Sequence, residues 1–320
     1  MESPERINEL IAGAIAGLAY PAAVPGLFDP VRYTMESGGK RIRPQLLLTS
    51  YCAFGGENPE HALKQALGIE MFHNFTLLHD DVMDRADMRR GRPTVHRRWS
   101  ESTAILSGDA MLTLATQLIA DCTPDILPAV LGLFNNTAME IYQGQQLDME
   151  FESRKDVTVG EYMEMIRLKT SVLLACACRM GAMLAGASET ACQSMYDYGI
   201  ALGLAFQLRD DWLDTFGDPI EFGKEIGGDI VNNKKTWLLI TASSEARQDL
   251  DDILCEDLEA KERIAQVIRV YRRLDLSERC LALIDSYAEK AISCLDNPEI
   301  DSRWKEYFTE LARRWAKRTH

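Results

Sequence analysis

The chain has 320 residues and a formal net charge of −14. That length allows one or two domains and is ample to bury a large core. The acidic balance argues against nucleic acid and against an anionic membrane surface as general partners.

The N-terminus, MESPERINEL, is acidic and followed by only a short apolar run, which does not fit a secretory signal peptide. SGGKRIRP comes next. Gly38 and Gly39 allow tight backbone approach there, Pro44 suits the first turn of a following helix, and Lys40, Arg41 and Arg43 gather positive charge. Leu63, Leu67, Met71, Phe75 and Leu78 recur at spacings of three and four, which predicts a helix with a core-facing stripe. Residues 135–152, 159–184, 191–214, 261–273 and 302–317 read as helices in the same way. Gly199 and Gly203 permit close helix approach. Residues 215–233, rich in Gly and Asp, read as an active-site loop. Runs of alternating β-branched residues are almost absent, so no sheet is expected. The longest apolar stretch, 171–187, is interrupted by Arg179 and is too short for a membrane span. The eight cysteines contain no CxxC pair, and reduced, buried thiols account for them. These features predict an all-α cytoplasmic protein without stable membrane insertion.

Two aspartate triplets share one spacing: Asp80, Asp81 and Asp84 in LLHDDVMD, and Asp210, Asp211 and Asp214 in FQLRDDWLD. Each ends an apolar helix, where residues three or four apart share a face and like charges repel. One such motif in an acidic chain is a solvated helix end. Two point to a cation, and oxygen-only ligands suit Mg2+ held together with substrate phosphates. The simplest picture is two facing helices with Mg2+ and a phosphate group between them, in one domain spanning 1–320.

Basic residues flank both triplets. Arg89, Arg90 and Arg92 follow the first; Lys224, Lys234 and Lys235 follow the second; Lys169 lies between. Arginine recognises phosphate through a planar fork and lysine as a point charge. Arg41, Arg97 and Arg98 read as solvated surface charges.

In GGKRIRP, HDDVMD with its trailing RRGRPTVH, GQQLD, KTS, FQLRDDWLD and GKEIGGDI, the chain resembles the trans-isoprenyl diphosphate synthases, or polyprenyl synthetases, in motif order and spacing. The resemblance implies a helical bundle round a central apolar cavity. It also implies head-to-tail joining of isopentenyl diphosphate to an allylic diphosphate, giving farnesyl or geranylgeranyl diphosphate. It places Mg2+, three ions per site, on Asp80 and Asp84 with Asp210 opposite. Asp81, Asp211 and Asp214 complete the metal set, Asp81 and Asp214 through water or as supporting partners. Arg89, Lys169, Lys224 and Lys234 would hold the allylic diphosphate. Lys40, Arg43, His73 and Arg90 would hold that of isopentenyl diphosphate. Thr170 and Gln207 would lie beside the developing cation, and Gln145 and Asp148 would line or brace the site. Phe75, five residues before Asp80, would floor the chain-length pocket, backed by Phe72 or Met71. A homodimer is implied, with helix 159–184 as a source of buried surface. Terpene cyclases also carry aspartate-rich helices but need no second diphosphate pocket, so Lys40, Arg43 and Arg90 tell against that class. A non-catalytic subunit could lose part of either charged set, and both are complete.

Overall fold

The computed structural model describes residues 3–218, 226–256 and 258–318. The chain divides into two compact units. The first comprises Met1–Asn135, Cys176–Gln193 and Glu299–Trp304. The second comprises Asn136–Ala175, Ser194–Pro298 and Lys305–His320.

In the first unit, α1 (Pro4–Ala16) is capped by the Ser3 hydroxyl and buries Ile7, Ile11 and Ile15. After α2 (Pro25–Met35) and α3 (Ile42–Ala53), a 3-10 turn, Pro59–Ala62, leads into α4, Leu63–Met83. From Gln65 to Phe72 every residue of α4 is buried, so over this stretch the apolar stripe read in the sequence is one side of a helix enclosed all round. Enclosure obliges its polar groups to find partners. Asn74 donates to the Glu70 carbonyl and carboxylate at 2.8 and 2.9 Å, and the Gln65 amide donates to the Asp121 carbonyl at 2.7 Å. α5 (Val95–Arg98) is a single turn. α6 (Glu101–Ala120) lies close along α4: a Cβ at Gly68 would press on the Ala115 carbonyl, and one at Gly108 on the His79 ring. Among the described residues, α6 is the one helix long and apolar enough to cross a membrane, and a third of it (33%) is buried.

α4 ends at the first aspartate triplet, and a small hairpin follows, Met88–Arg89 paired with Arg92–Pro93. Arg90 and Gly91 have φ of 51° and 72°, the double left-handed pair of a two-residue hairpin turn. This ladder of two-residue strands is the sheet among the described residues, and its register comes from the turn; there is no alternating apolar pattern to see in the sequence.

α7 (Leu127–Ser153), α9 (Val172–Leu184) and α10 (Glu189–Phe216) are each divided between the two units. α7 starts eight residues before the expected 135. In the second unit, α8 (Val159–Ile166) opens with a capping box between Thr158 and Glu161 and passes through a π turn, Arg167–Ser171, into α9. α10 carries the second triplet and keeps Thr215 and Phe216 helical, where a loop was expected. A short helix, α11, is Gly228–Val231; α12 (Trp237–Glu245), α13 (Arg247–Cys255), α14 (Ala260–Arg273), α15 (Leu276–Cys294) and α16 (Ser302–Ala316) complete the chain. Trp237, Leu238, Leu239 and Ile240 pack with Val267, Tyr271, Leu276 and Ile284 into the core of this unit. Gly199 and Gly203 act as expected: Cβ atoms there would collide with the backbone of Ala175 and of Ser171.

Candidate active site

In the first unit, α3, α4, the hairpin and the Gly38–Arg41 loop bring four arginines round one histidine. Arg41 and Arg90 hold φ of 48° and 51°. Left-handed backbone costs a bulky side chain on the order of 1–3 kcal/mol and persists where the surroundings enforce it. Arg90 donates to the Gly38 carbonyl and, at 3.2 Å, to the Ser37 hydroxyl. Its Cζ would lie 2.9 Å from any Cβ at Gly39, where φ is 119°, so the second glycine of the motif is required twice over. Arg41 corrects the reading as a solvated charge: it pairs with buried Glu70 at 2.5 Å and donates to the Met35 carbonyl. Arg97, paired with exposed Asp87, and exposed Arg98, stacked on Tyr33 and Trp99, are surface charges.

Arg43 has a buried Nε with no partner among the described residues, and burial pulls its guanidinium down to about 10 while leaving it charged near neutrality. Burial, then the charges of Arg43, Arg90, Arg89 and Arg41, hold His73 well below the usual imidazole range, so it is neutral at pH 7. Lys40 lies exposed at the mouth of a cavity of about 600 Å3 that it shares with Gln45 and α1 residues Asn8 and Ile11.

The first aspartates split by exposure. Asp84 is exposed and Asp80 half-buried, whereas Asp81 turns inward and accepts from Arg89 Nε at 2.7 Å. Burial raises Asp81 from the usual carboxylate range against the pull of Arg89. One turn before Asp80, Phe75 is buried against Phe72 at 5.5 Å and against the His79 ring at 4.8 Å. Phe72 in turn meets Phe134 edge-on at 5.1 Å. Met71 is fully buried one turn deeper.

The second unit builds its own charged group. Asp211 is buried and accepts from the Tyr162 hydroxyl and, at 3.0 Å, from the Gln207 amide. Lys234 stands 4.0 Å from Asp211 and 3.5 Å from Asp229. Burial drives both carboxyls up; Lys234 opposes this, and together Asp211 and Asp229 outweigh its own burial and raise its pKa. Asp214 accepts from the Asp229 amide at 2.9 Å and is raised chiefly by burial. Asp210 pairs at 2.7 Å with Arg318, whose guanidinium lies 4.0 Å over the Phe206 ring. The π turn presents Lys169, bonded to Asp148, and Thr170, whose hydroxyl donates to Gln207 Oε1 at 3.0 Å. A Cβ at Gly144 of GQQLD would collide with the Lys169 amide. Asp148 thus braces Lys169. Lys224 lies outside the described residues.

The sequence reading missed Glu70, Phe134, Tyr162, Asp229 and Arg318. A charge within the apolar stretch LGIEMF signals Glu70. Asp229 sits inside the recognised GGD stretch. Tyr162 and Arg318 lie 49 and 108 positions from their aspartates, and no local pattern announces such pairs.

The polyprenyl synthetase family model matches residues 24–271. A geranylgeranyl diphosphate synthase of Methanosarcina mazei is 42% identical over 68% of this chain and 67% of its own. One from Sulfolobus acidocaldarius is 33% identical over 97% and 96%. A crystal structure of a geranylgeranyl pyrophosphate synthase superposes with a TM-score of 0.94 at 40% identity, covering 100% of both chains. The chain belongs to the polyprenyl synthetase family. Within it, the chain is a short-chain prenyltransferase.

Proposed function

We propose that the chain joins isopentenyl diphosphate head to tail to an allylic diphosphate, giving farnesyl or geranylgeranyl diphosphate, the longer product favoured. One observation carries the reading. In a chain of net charge −14, Arg41, Arg43, Arg89 and Arg90 gather round a neutral His73, and Arg43 Nε is left buried and unpartnered among the described residues. Like charges collected against their mutual repulsion call for an anion. On this reading Lys40, Arg43, His73 and Arg90 hold isopentenyl diphosphate. Arg89, Lys169, Lys234 and Lys224 hold the allylic diphosphate, and the whole chain works as one domain.

The donor set fits Mg2+. Asp80 and Asp84, and in the second unit Asp210 and Asp214, offer hard carboxylate oxygens with no soft ligand beside them. Among the described residues no three His, Cys, Asp or Glu side chains form a closed cage. Mg2+ keeps waters and phosphate oxygens and needs none. When bound, it supplies Lewis-acid neutralisation of the leaving diphosphate.

The chain's own residues account for the rest. Arginine and lysine side chains stabilise the diphosphate as its carbon–oxygen bond breaks. Gln207 Oε1 and Thr170 Oγ offer lone pairs to the resulting allylic cation. The isopentenyl double bond attacks that cation, and the adduct loses a proton, which the released diphosphate accepts. The Phe72, Phe75 and Phe134 cluster excludes water, which would quench the cation, and limits the growing chain. No protein nucleophile takes part.

We place the enzyme in the cytoplasm as a homodimer. Its apolar α6 leaves Ile105 and Leu106 48% and 59% exposed, a face suited to a second copy. Helix 159–184, expected to supply that surface, is spent inside the units: Leu173, Leu174, Cys176 and Cys178 are already buried.

The test is incubation of the purified protein with labelled isopentenyl diphosphate, an allylic primer and Mg2+, followed by chromatography of the dephosphorylated products. Linear prenyl alcohols of the two expected lengths support the proposal. Cyclic hydrocarbons or no product overturn it.

A further inference from the structure

Asp211 and Tyr162 form the base of a hydrogen-bonded chain that ends at the two groups assigned to the cation. A carboxylate can only accept, so the Gln207 atom 3.0 Å from Asp211 Oδ1 must be the amide nitrogen. The other end of that amide is therefore the carbonyl oxygen, and it accepts the Thr170 hydroxyl proton at 3.0 Å. With its proton committed to Gln207, Thr170 Oγ turns its lone pairs elsewhere. Reversal of the amide would set oxygen against oxygen at Asp211 and point N–H groups at Thr170. Asp211 Oδ2 is held by the Tyr162 hydroxyl, and Tyr162 is fully buried on α8. Gln207 and Asp211 stand one turn apart on α10, so a single rigid face carries both.

We infer that Tyr162 and Asp211 are positioning residues: they fix the polarity of the Gln207–Thr170 pair so that oxygens, and not N–H groups, face the allylic cation. This gives Asp211 a task distinct from holding metal. A pair reversed in polarity would present positive dipole ends to a developing cation and raise the barrier without altering how either diphosphate is held.

The inference rests on the prenyltransferase reading, but the two fail differently. Absence of prenyl product from the unaltered protein overturns that reading, whereas this one is judged by ratios between variants. Tyr162→Phe removes one hydroxyl and keeps the ring. The expected result is a kcat lowered roughly ten- to a hundredfold, the scale of one hydrogen bond to a charged group. KM for both diphosphates and the Mg2+ concentration for half-maximal rate should stay within about twofold, since uniform binding is untouched. Gln207→Leu removes the group through which Tyr162 acts. In that background Tyr162→Phe should cost nothing further in kcat, the signature of two residues in one network. Equal losses in both backgrounds would mean a structural role and overturn the inference. So would a loss carried in KM, a shifted Mg2+ requirement, or an unchanged kcat. Should Tyr162→Phe fail to fold, Tyr162→Met, which also removes the hydroxyl, serves in its place, with the same ratios deciding.

Discussion

His73 is held neutral by burial and by the surrounding arginines, with a folded-state pKa below its ordinary 6.5. The unfolded chain therefore binds the extra proton first as pH falls. The stability this residue contributes is fully present above about pH 6.5 and is lost below it, at up to about 1.4 kcal/mol per pH unit. Melting temperature followed from pH 7 to 5 should fall, and His73→Asn should flatten the fall. A variant as steep as the unaltered protein would refute the assignment. Arg43 is the sharper probe of substrate. Arg43→Ala should raise KM for isopentenyl diphosphate at least about tenfold, the loss of one charge-assisted contact, and leave KM for the allylic substrate nearly unchanged. Steady-state kinetics with each substrate varied check this. The aspartate triplets were legible from spacing, because carboxylates three or four positions apart share a helix face, whereas the roles of Lys40, Arg43, His73 and Arg90 came from the family resemblance. The part played by Arg41 was not legible, since its partner Glu70 lies 29 positions off and only folding brings them together.

At the scale of elements, periodicity found the long helices, and α10 and α14 came within two residues of their expected bounds. It placed the start of α7 late. It also could not foresee the hairpin, whose strands are two residues long, or the π turn, because neither leaves a repeating apolar pattern. The aromatic cluster makes a prediction across two helices. Phe75→Ala should lengthen the product, since Phe75 lies about 7.5 Å down the α4 axis from Asp80. Phe72 is supported edge-on by Phe134, so Phe134→Ala combined with Phe75→Ala should lengthen it further. A simple core phenylalanine would cost about 3–5 kcal/mol on truncation and leave the products as they were. Gas chromatography and a thermal melt on the same samples separate the two outcomes. Helix contact offers another test. A Cβ at Gly203 would lie 2.5 Å from Ser171 Cα, so Gly203→Ala should destabilise by about 1–3 kcal/mol or more, read as a lowered unfolding midpoint.

For the whole molecule, the acidic total conceals a basic pocket, and only the position of each charge reveals it. Inorganic diphosphate with Mg2+ should stabilise the fold by mass action, about 2.7 kcal/mol at a hundred times Kd. Either component alone should do much less, as a melting series would show. Ile105→Asp with Leu106→Asp should turn a dimer into monomers on a sizing column, with the helical signal retained. Persistent dimers would remove α6 from the interface.

The turn Arg167–Ser171 takes one residue more than an α-helical path would. Its heredity is unusual in consequence. Exchanging a residue there alters one side chain, whereas losing a single codon would close the wide turn into ordinary α-helix, with α8 and α9 keeping their faces and the residues of the turn itself displaced. Lys169 and Thr170 would leave their partners, and the backbone would no longer meet Gly144 and Gly203 where those glycines make room. Descendants of this gene can shorten the segment and keep both helices, yet only at the cost of the wide turn that sets Lys169 and Thr170 against Asp148 and Gln207.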